Sequence, residues 1–171
     1  VKFQDIRIPF DQWPKYKAKF ELGQIPVLEI DVKQYCQTNA ILEFLGAKYK
    51  YIPKNFGLFS KAVFAMNTAE DLIAKIVAAT SNMSPLDDKG KEEALKKLFE
   101  SDGPLYLGAL DRLYKENPCK DFIVGNSYSI ADFYLLGTYK GFMSEKKYHD
   151  LFHAKFVEKH PELHAYLEKR L

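Results

Sequence analysis

Residues Gly23 to Asp31 read GQIPVLEID, with a proline at the mouth of a run rich in Val, Leu and Ile. Proline has no backbone N–H to give to a ladder, so Pro26 marks the first residue of a strand, an edge or a special turn. Only an X-Pro bond adopts cis at low cost. A fixed bend at Ile25-Pro26 is therefore expected to aim the N–H and C=O of Ile25 outward, where an extended ligand can pair with them. Working outward, "PVLEID" and "QYCQ" are strand candidates separated only by Val32 and Lys33, which predicts a hairpin. After them, "TNAILEFLGAKY" carries Ala40, Ile41, Phe44 and Leu45 at helical spacing, with Thr38 or Asn39 available as N-cap. Before them, "VKFQDI" reads as a strand and "DQWPKYKAKF" as a connector or short helix. A hairpin and one further strand need more partners than this to make a stable sheet. The material completing it, one strand and one helix, is expected upstream of Val1.

From Phe59 onward the pattern is helical. Val63, Met66, Ala69, Ile73, Ile76 and Val77 form one stripe, closed by Ser84-Pro85. Leu95, Leu98, Phe99, Leu110 and Leu113 form another, with a kink expected at Gly103-Pro104 and a stop at Asn117-Pro118. "SIADFYLLGTYKGF" and the tail after Ser144 supply the rest, the tail divided at His160-Pro161. "IPKNFGL", at 52–58, has the Pro, Asn and Gly of a linker. The expected organisation is α/β plus all-α: a partial α/β domain at 1–53, a linker at 54–58 and an all-helical domain at 59–171.

Composition excludes several classes. Across 171 residues, 25 Lys plus Arg oppose 23 Asp plus Glu, and a net charge of +2 with both signs scattered gives no electrostatic footprint for nucleic acid. The longest apolar stretches fall far short of the roughly 20 residues of a membrane span. With no visible leader, the expected compartment is the cytoplasm. Two cysteines, Cys36 and Cys119, are too few to staple a secreted scaffold and are expected to be reduced.

Four patterns bear on chemistry. Ser129 and Asp132 in "SIAD" make a capping box, with Tyr128 and Phe133 placed to staple across it; its role is structural. Gln37 and Thr38 fall where a strand gives way to a helix, a place that favours a carboxylate or phosphate, although a plain N-cap by Thr38 accounts for the same residues. Trp13 and Lys17 share one face of a helical turn, either as an anion-binding pair or as a packed indole beside a solvated lysine. His149-x3-His153 and His160-x3-His164 have metal-ligand spacing but lack the Glu of H-E-x-x-H, so they are expected to be surface histidines and no metal is predicted. Cys36 lies inside a strand pattern and is expected to be a small buried hydrophobe.

Taken together, W-P-x-x-K at Trp13 to Lys17, G-Q-x-P-V-L-E-x-D at Gly23 to Asp31, Q-T-x-A-I at Gln37 to Ile41, S-x-A-D at Ser129 to Asp132 and a terminal "HP…YL…R" stand in order. In this the sequence resembles the glutathione S-transferases, most closely the sigma-class branch that includes glutathione-dependent prostaglandin D synthases. The resemblance implies a thioredoxin-like N-terminal domain without its first strand and helix, a helical C-terminal domain, and a homodimer. It implies glutathione as co-substrate and a cis peptide at Pro26, with Ile25 pairing its backbone to the cysteinyl unit. Trp13, Lys17 and Gln24 would serve the glycyl carboxylate, and Gln37 and Thr38 the γ-glutamyl carboxylate. Asp71 would reach across the dimer to the γ-glutamyl amino group. Thr38 stands where the family has Ser, and Val32 where it has a turn Gly, so the hairpin turn is expected to differ. The family's catalytic tyrosine falls upstream of Val1, and none of the eleven tyrosines here takes that role.

The activity implied is conjugation of the glutathione thiolate to a small, apolar electrophile, or isomerisation of a prostaglandin endoperoxide. The alternative is a non-catalytic glutathione-transferase-like binding, assembly or structural subunit.

Overall fold

The run after Pro26 becomes strand β1, Val27–Ile30, paired antiparallel with β2, Lys33–Cys36, in a computed structural model that describes residues 1–81, 84–143 and 156–170. The register Ile30↔Lys33 leaves a two-residue loop, Asp31-Val32, with φ of 49° and 61°. Positive φ at both central residues is the type I′ turn, whose twist matches that of a hairpin. In that turn Val32 takes a left-handed conformation that a β-branched residue resists. Val32 is 93% exposed, so no packing compensates. Val32→Gly is expected to raise the unfolding free energy by about 1 kcal/mol, read by urea titration. A loss of stability would contradict this origin of the strain.

The strand expected at Val1 to Ile6 is not formed. Residues 1–9 have no regular structure, and Val1, Phe3 and Ile6 are exposed. Among the described residues β1 and β2 pair only with each other, so "VKFQDI" has no neighbouring ladder there, and propensity does not make a strand without one. A 3-10 turn, Phe10–Gln12, leads into α1, Trp13–Lys17, where Pro14 sits in the first turn and its missing N–H costs nothing. Helix α2, Thr38–Tyr49, follows the hairpin.

The chain divides into two compact units, Val1–Lys48 and Tyr49–Leu171. Tyr51 belongs to the second: its carbonyl accepts from Ile130 N at 3.1 Å, and its ring meets Phe133 edge-on at 4.8 Å. The first helix of this unit, α3, spans Phe56–Thr80 and starts three residues before Phe59, because Asn55 Oδ1 caps it by accepting from Leu58 N at 3.0 Å. Its buried face is Ala62, Ala65, Met66, Ala69, Leu72 and Ile76. Val63 and Ile73, expected in that stripe, are half-buried, and Val77 is exposed. The alanines allow close approach of the helices packed on α3, namely α4 (Asp88–Glu100), α5 (Gly103–Glu116) and α6 (Ile130–Thr138).

At Gly103-Pro104 a break replaces the expected kink. α4 ends at Glu100, and α5 begins at Gly103 with Pro104 in its first turn, a position where proline opens a helix. The capping box forms as expected: Ser129 N donates to Asp132 Oδ2 at 2.8 Å, and the Tyr128 and Phe133 rings stack at 6.0 Å. A π-helical turn, Tyr139–Met143, follows α6. Residues 156–159 are helical, and Pro161 opens α7, Pro161–Glu168, so the tail divides at His160 as expected.

His149 and His153 lie outside the described residues. His160 and His164 are not surface residues, their side chains being only 12% and 15% exposed. Both lie on the inner side of the tail, where His160 Nδ1 stands 3.0 Å from Asp111 Oδ2 on α5 and His164 packs its ring against Tyr139 and Phe156. Among the described residues no group of three or more His, Cys, Asp or Glu is arranged to hold a metal, and no helix is long and apolar enough to cross a membrane.

Candidate functional site

Two segments of the first unit meet at one open pocket. Leu22, Gln24, Ile25 and Pro26 arrive from the approach to β1, and Cys36, Gln37 and Thr38 from the end of β2 and the start of α2. The Ile25-Pro26 peptide is cis. Ile25 is half-exposed, and among the described residues its backbone N–H and C=O make no hydrogen bond.

The β2–α2 junction is built differently from an ordinary cap. Gln37 O accepts the first intrahelical bond, from Ile41 N at 2.9 Å, so Gln37 occupies the cap position and Thr38 is already helical. The N-cap reading of Thr38 is thereby corrected. Gln37 has φ of 73°, a left-handed conformation unusual for a residue with a Cβ. Strain of this kind concentrates at functional positions. Among the described residues neither the Gln37 amide nor the Thr38 hydroxyl has a hydrogen-bond partner. The first N–H groups of α2 have no intrahelical acceptor, and the positive end of the helix dipole lies there too. The Gln37 amide, the Thr38 hydroxyl and the dipole favour a carboxylate or a phosphate at the pocket.

The pocket gathers Gln24, Ile25, Pro26, Gln37 and Thr38 of the expected site residues. Trp13 and Lys17 are not among its walls. The Trp13 ring stacks on Phe20 at 6.0 Å and is half-buried. Lys17 runs its aliphatic stem along Gly23, where an added Cβ would come within 3.1 Å of Lys17 Cγ and Cε; Gly23 has φ of +55°. Lys17 thus packs against the residue that precedes Gln24 in the chain. Asp71 is exposed on α3, in the second unit. Sequence reasoning missed Cys36 and Leu22 as wall residues. The signal for Cys36 was its place as the last strand residue before a helix, since a strand end abutting a helix start is where such pockets form in α/β units.

Comparison with known proteins accords with this geometry. Residues 1–47 match "Glutathione S-transferase, N-terminal domain" and residues 70–170 match "Glutathione S-transferase, C-terminal domain". The chain is 30% identical to Glutathione S-transferase P 10 of Caenorhabditis elegans, over 99% of this chain and 80% of that protein. It is also 30% identical to Glutathione S-transferase 2 of Manduca sexta, over 81% of this chain but only 66% of the relative's length. The solved structure of prostaglandin synthase D of Nilaparvata lugens aligns with a TM-score of 0.72 at 26% identity, covering 100% of this chain and 86% of that one. Two domain patterns in order along the chain, and a relative 30% identical over nearly all of it, lead to one conclusion: the chain belongs to the glutathione S-transferase family.

Proposed function

We propose that this protein is a glutathione transferase whose first unit binds glutathione and whose reaction joins the glutathione sulfur to a small, apolar electrophile. The observation that carries the reading is the pocket at the start of α2, where Gln24, Ile25, Gln37 and Thr38 converge with their donors uncommitted. A γ-glutamyl carboxylate at this junction accepts from the Thr38 hydroxyl, the Gln37 amide and the first N–H groups of the helix, charge-assisted bonds stronger than neutral ones. The cysteinyl unit lies antiparallel to Ile25 and exchanges backbone hydrogen bonds with it, as in strand-type peptide capture. Trp13 and Lys17 serve the glycyl carboxylate, with Gln24 between. In the reaction, the thiolate attacks the electrophilic centre, a C–S bond forms and the leaving group departs with its electron pair. Only the thiolate is a strong nucleophile, so turnover further requires a donor to the sulfur, a role assigned to no residue of 1–171.

The proposal includes a homodimer in which Asp71 accepts from the γ-glutamyl amino group of the neighbouring subunit's ligand, and a cytoplasmic location. Asp71's exposure and the free thiols of Cys36 and Cys119 support these readings. A monomer in sedimentation would remove the Asp71 assignment.

Retention on immobilised glutathione together with turnover of a model aryl halide is the expected result, and a chain that glutathione neither retains nor protects against thermal unfolding would end the reading. Trp13→Ala is expected to weaken glutathione binding by about tenfold, the loss of one hydrogen bond to a charged group. Its melting temperature should stay near that of the parent, because the ring is only half-buried.

A further inference from the structure

Asp71 and Lys75 are one turn apart on α3 with the acid first, the order in which an i, i+4 pair is most favourable. They do not pair. Lys75 Nζ lies instead 2.9 Å from Asp102 Oδ2, at the residue before α5, and 6.0 Å from the centre of the Tyr106 ring. The hydrogen bond to Asp102 is the main cause holding the Lys75 ammonium above its ordinary value, and Asp71 is the smallest contributor. Among the described residues the Asp71 carboxylate makes no hydrogen bond or ion pair. The cation that helix geometry offers to Asp71 is thus drawn to a neighbouring helix.

Asp102 gives up an ordinary role to do this. It stands at the N-cap of α5, where an aspartate usually accepts from the first-turn N–H groups, yet its side chain makes no such bond. Its backbone carbonyl meets the helix instead, accepting from Leu105 N at 2.9 Å and Tyr106 N at 3.3 Å. The carboxylate is dispensable to α5 and committed to Lys75.

We propose that Asp102 is a positioning residue for ligand binding: by holding Lys75 it keeps the Asp71 carboxylate open for the ammonium group of a ligand, the γ-glutamyl amino group of glutathione bound to the neighbouring subunit. This rests on the dimeric reading of the site given above. Released from Asp102, Lys75 swings one turn back to Asp71, competes for its carboxylate and sets a like charge against the incoming ammonium.

The test is calorimetric titration of the full chain with glutathione and with its des-amino analogue. Asp102→Asn preserves the shape and the backbone bonds, and is expected to weaken glutathione about 1.5- to twofold, the strength of one exposed i, i+4 pair. The loss should shrink as salt is raised. Affinity for the des-amino analogue should not change. Asp102→Glu, or Lys75→Gln added to Asp102→Asn, should restore the parent affinity. Equal weakening of both ligands, or no weakening of glutathione in Asp102→Asn, overturns the role of Asp102. Asp71→Ala separates the two readings: weakened binding there with none in Asp102→Asn leaves the site and removes Asp102, whereas unchanged binding in Asp71→Ala removes both.

Discussion

Asp132→Asn lowers the unfolding free energy by about 2–6 kcal/mol, the cost of leaving two buried donors without an acceptor at about 1–3 kcal/mol each. Asp132 is fully buried and accepts from four donors: Ile123 N at 2.8 Å and Tyr166 Oη on one oxygen, Ser129 N at 2.8 Å and Ser129 Oγ at 2.9 Å on the other. An asparagine has the same shape but must turn its NH2 toward two of those donors. Each donor left facing another donor bears its desolvation cost without a bond. The Tyr166 hydroxyl, held protonated by burial and then by its bond to Asp132, can turn away only by leaving its own polar group unmatched. Urea titration measures the effect, and a loss under about 1.5 kcal/mol, the worth of one ordinary hydrogen bond, would show that the four contacts do not act together.

Gln37→Gly separates binding from stability by moving them in opposite directions. The native φ of 73° is open to glycine without the Cβ clash, so unfolding free energy is expected to rise by about 1 kcal/mol. The same change removes the amide proposed to hold the γ-glutamyl carboxylate, and glutathione affinity is expected to fall about tenfold to a hundredfold, one hydrogen bond to a charged group. Calorimetric titration and thermal melting on one preparation read both. Gln37→Ala should lose the affinity without the gain in stability. A Gln37→Gly variant that binds as tightly as the parent would remove Gln37 from the site.

The features legible in the sequence were those written in a few neighbouring residues. Ser129 and Asp132 announce a helix start three residues apart, and Pro26 announces a strand start by lacking a donor. Asp132's further bonds to Ile123 and Tyr166 were not legible, because they link loop, α6 and α7 across 9 and 34 residues. The α3 stripe gave Met66, Ala69 and Ile76 correctly, whereas Ala62, Ala65 and Leu72, in place of Val63, Ile73 and Val77, complete the buried face where the neighbouring helices pack. "VKFQDI" showed propensity without a partner, and propensity did not suffice. His160 looked solvated until Asp111, far earlier in the chain, was placed beside it. For the site, the proline bend raised Ile25 and Pro26, the strand-helix junction raised Gln37 and Thr38, and the motif resemblance alone supplied Gln24. The left-handed Gln37 and the Lys75–Asp102 pair depend on three-dimensional placement that periodicity does not encode.

The bond from Ile130 N to the Tyr51 carbonyl locates the natural seam for anyone transplanting the helical half onto another scaffold. A graft cut at Phe59 would discard Tyr51 and Asn55 together, stranding a donor beside the capping box and uncapping α3. A graft cut at Lys48 carries both, and the left-handed residue Lys50, at φ of 65°, already turns the backbone there.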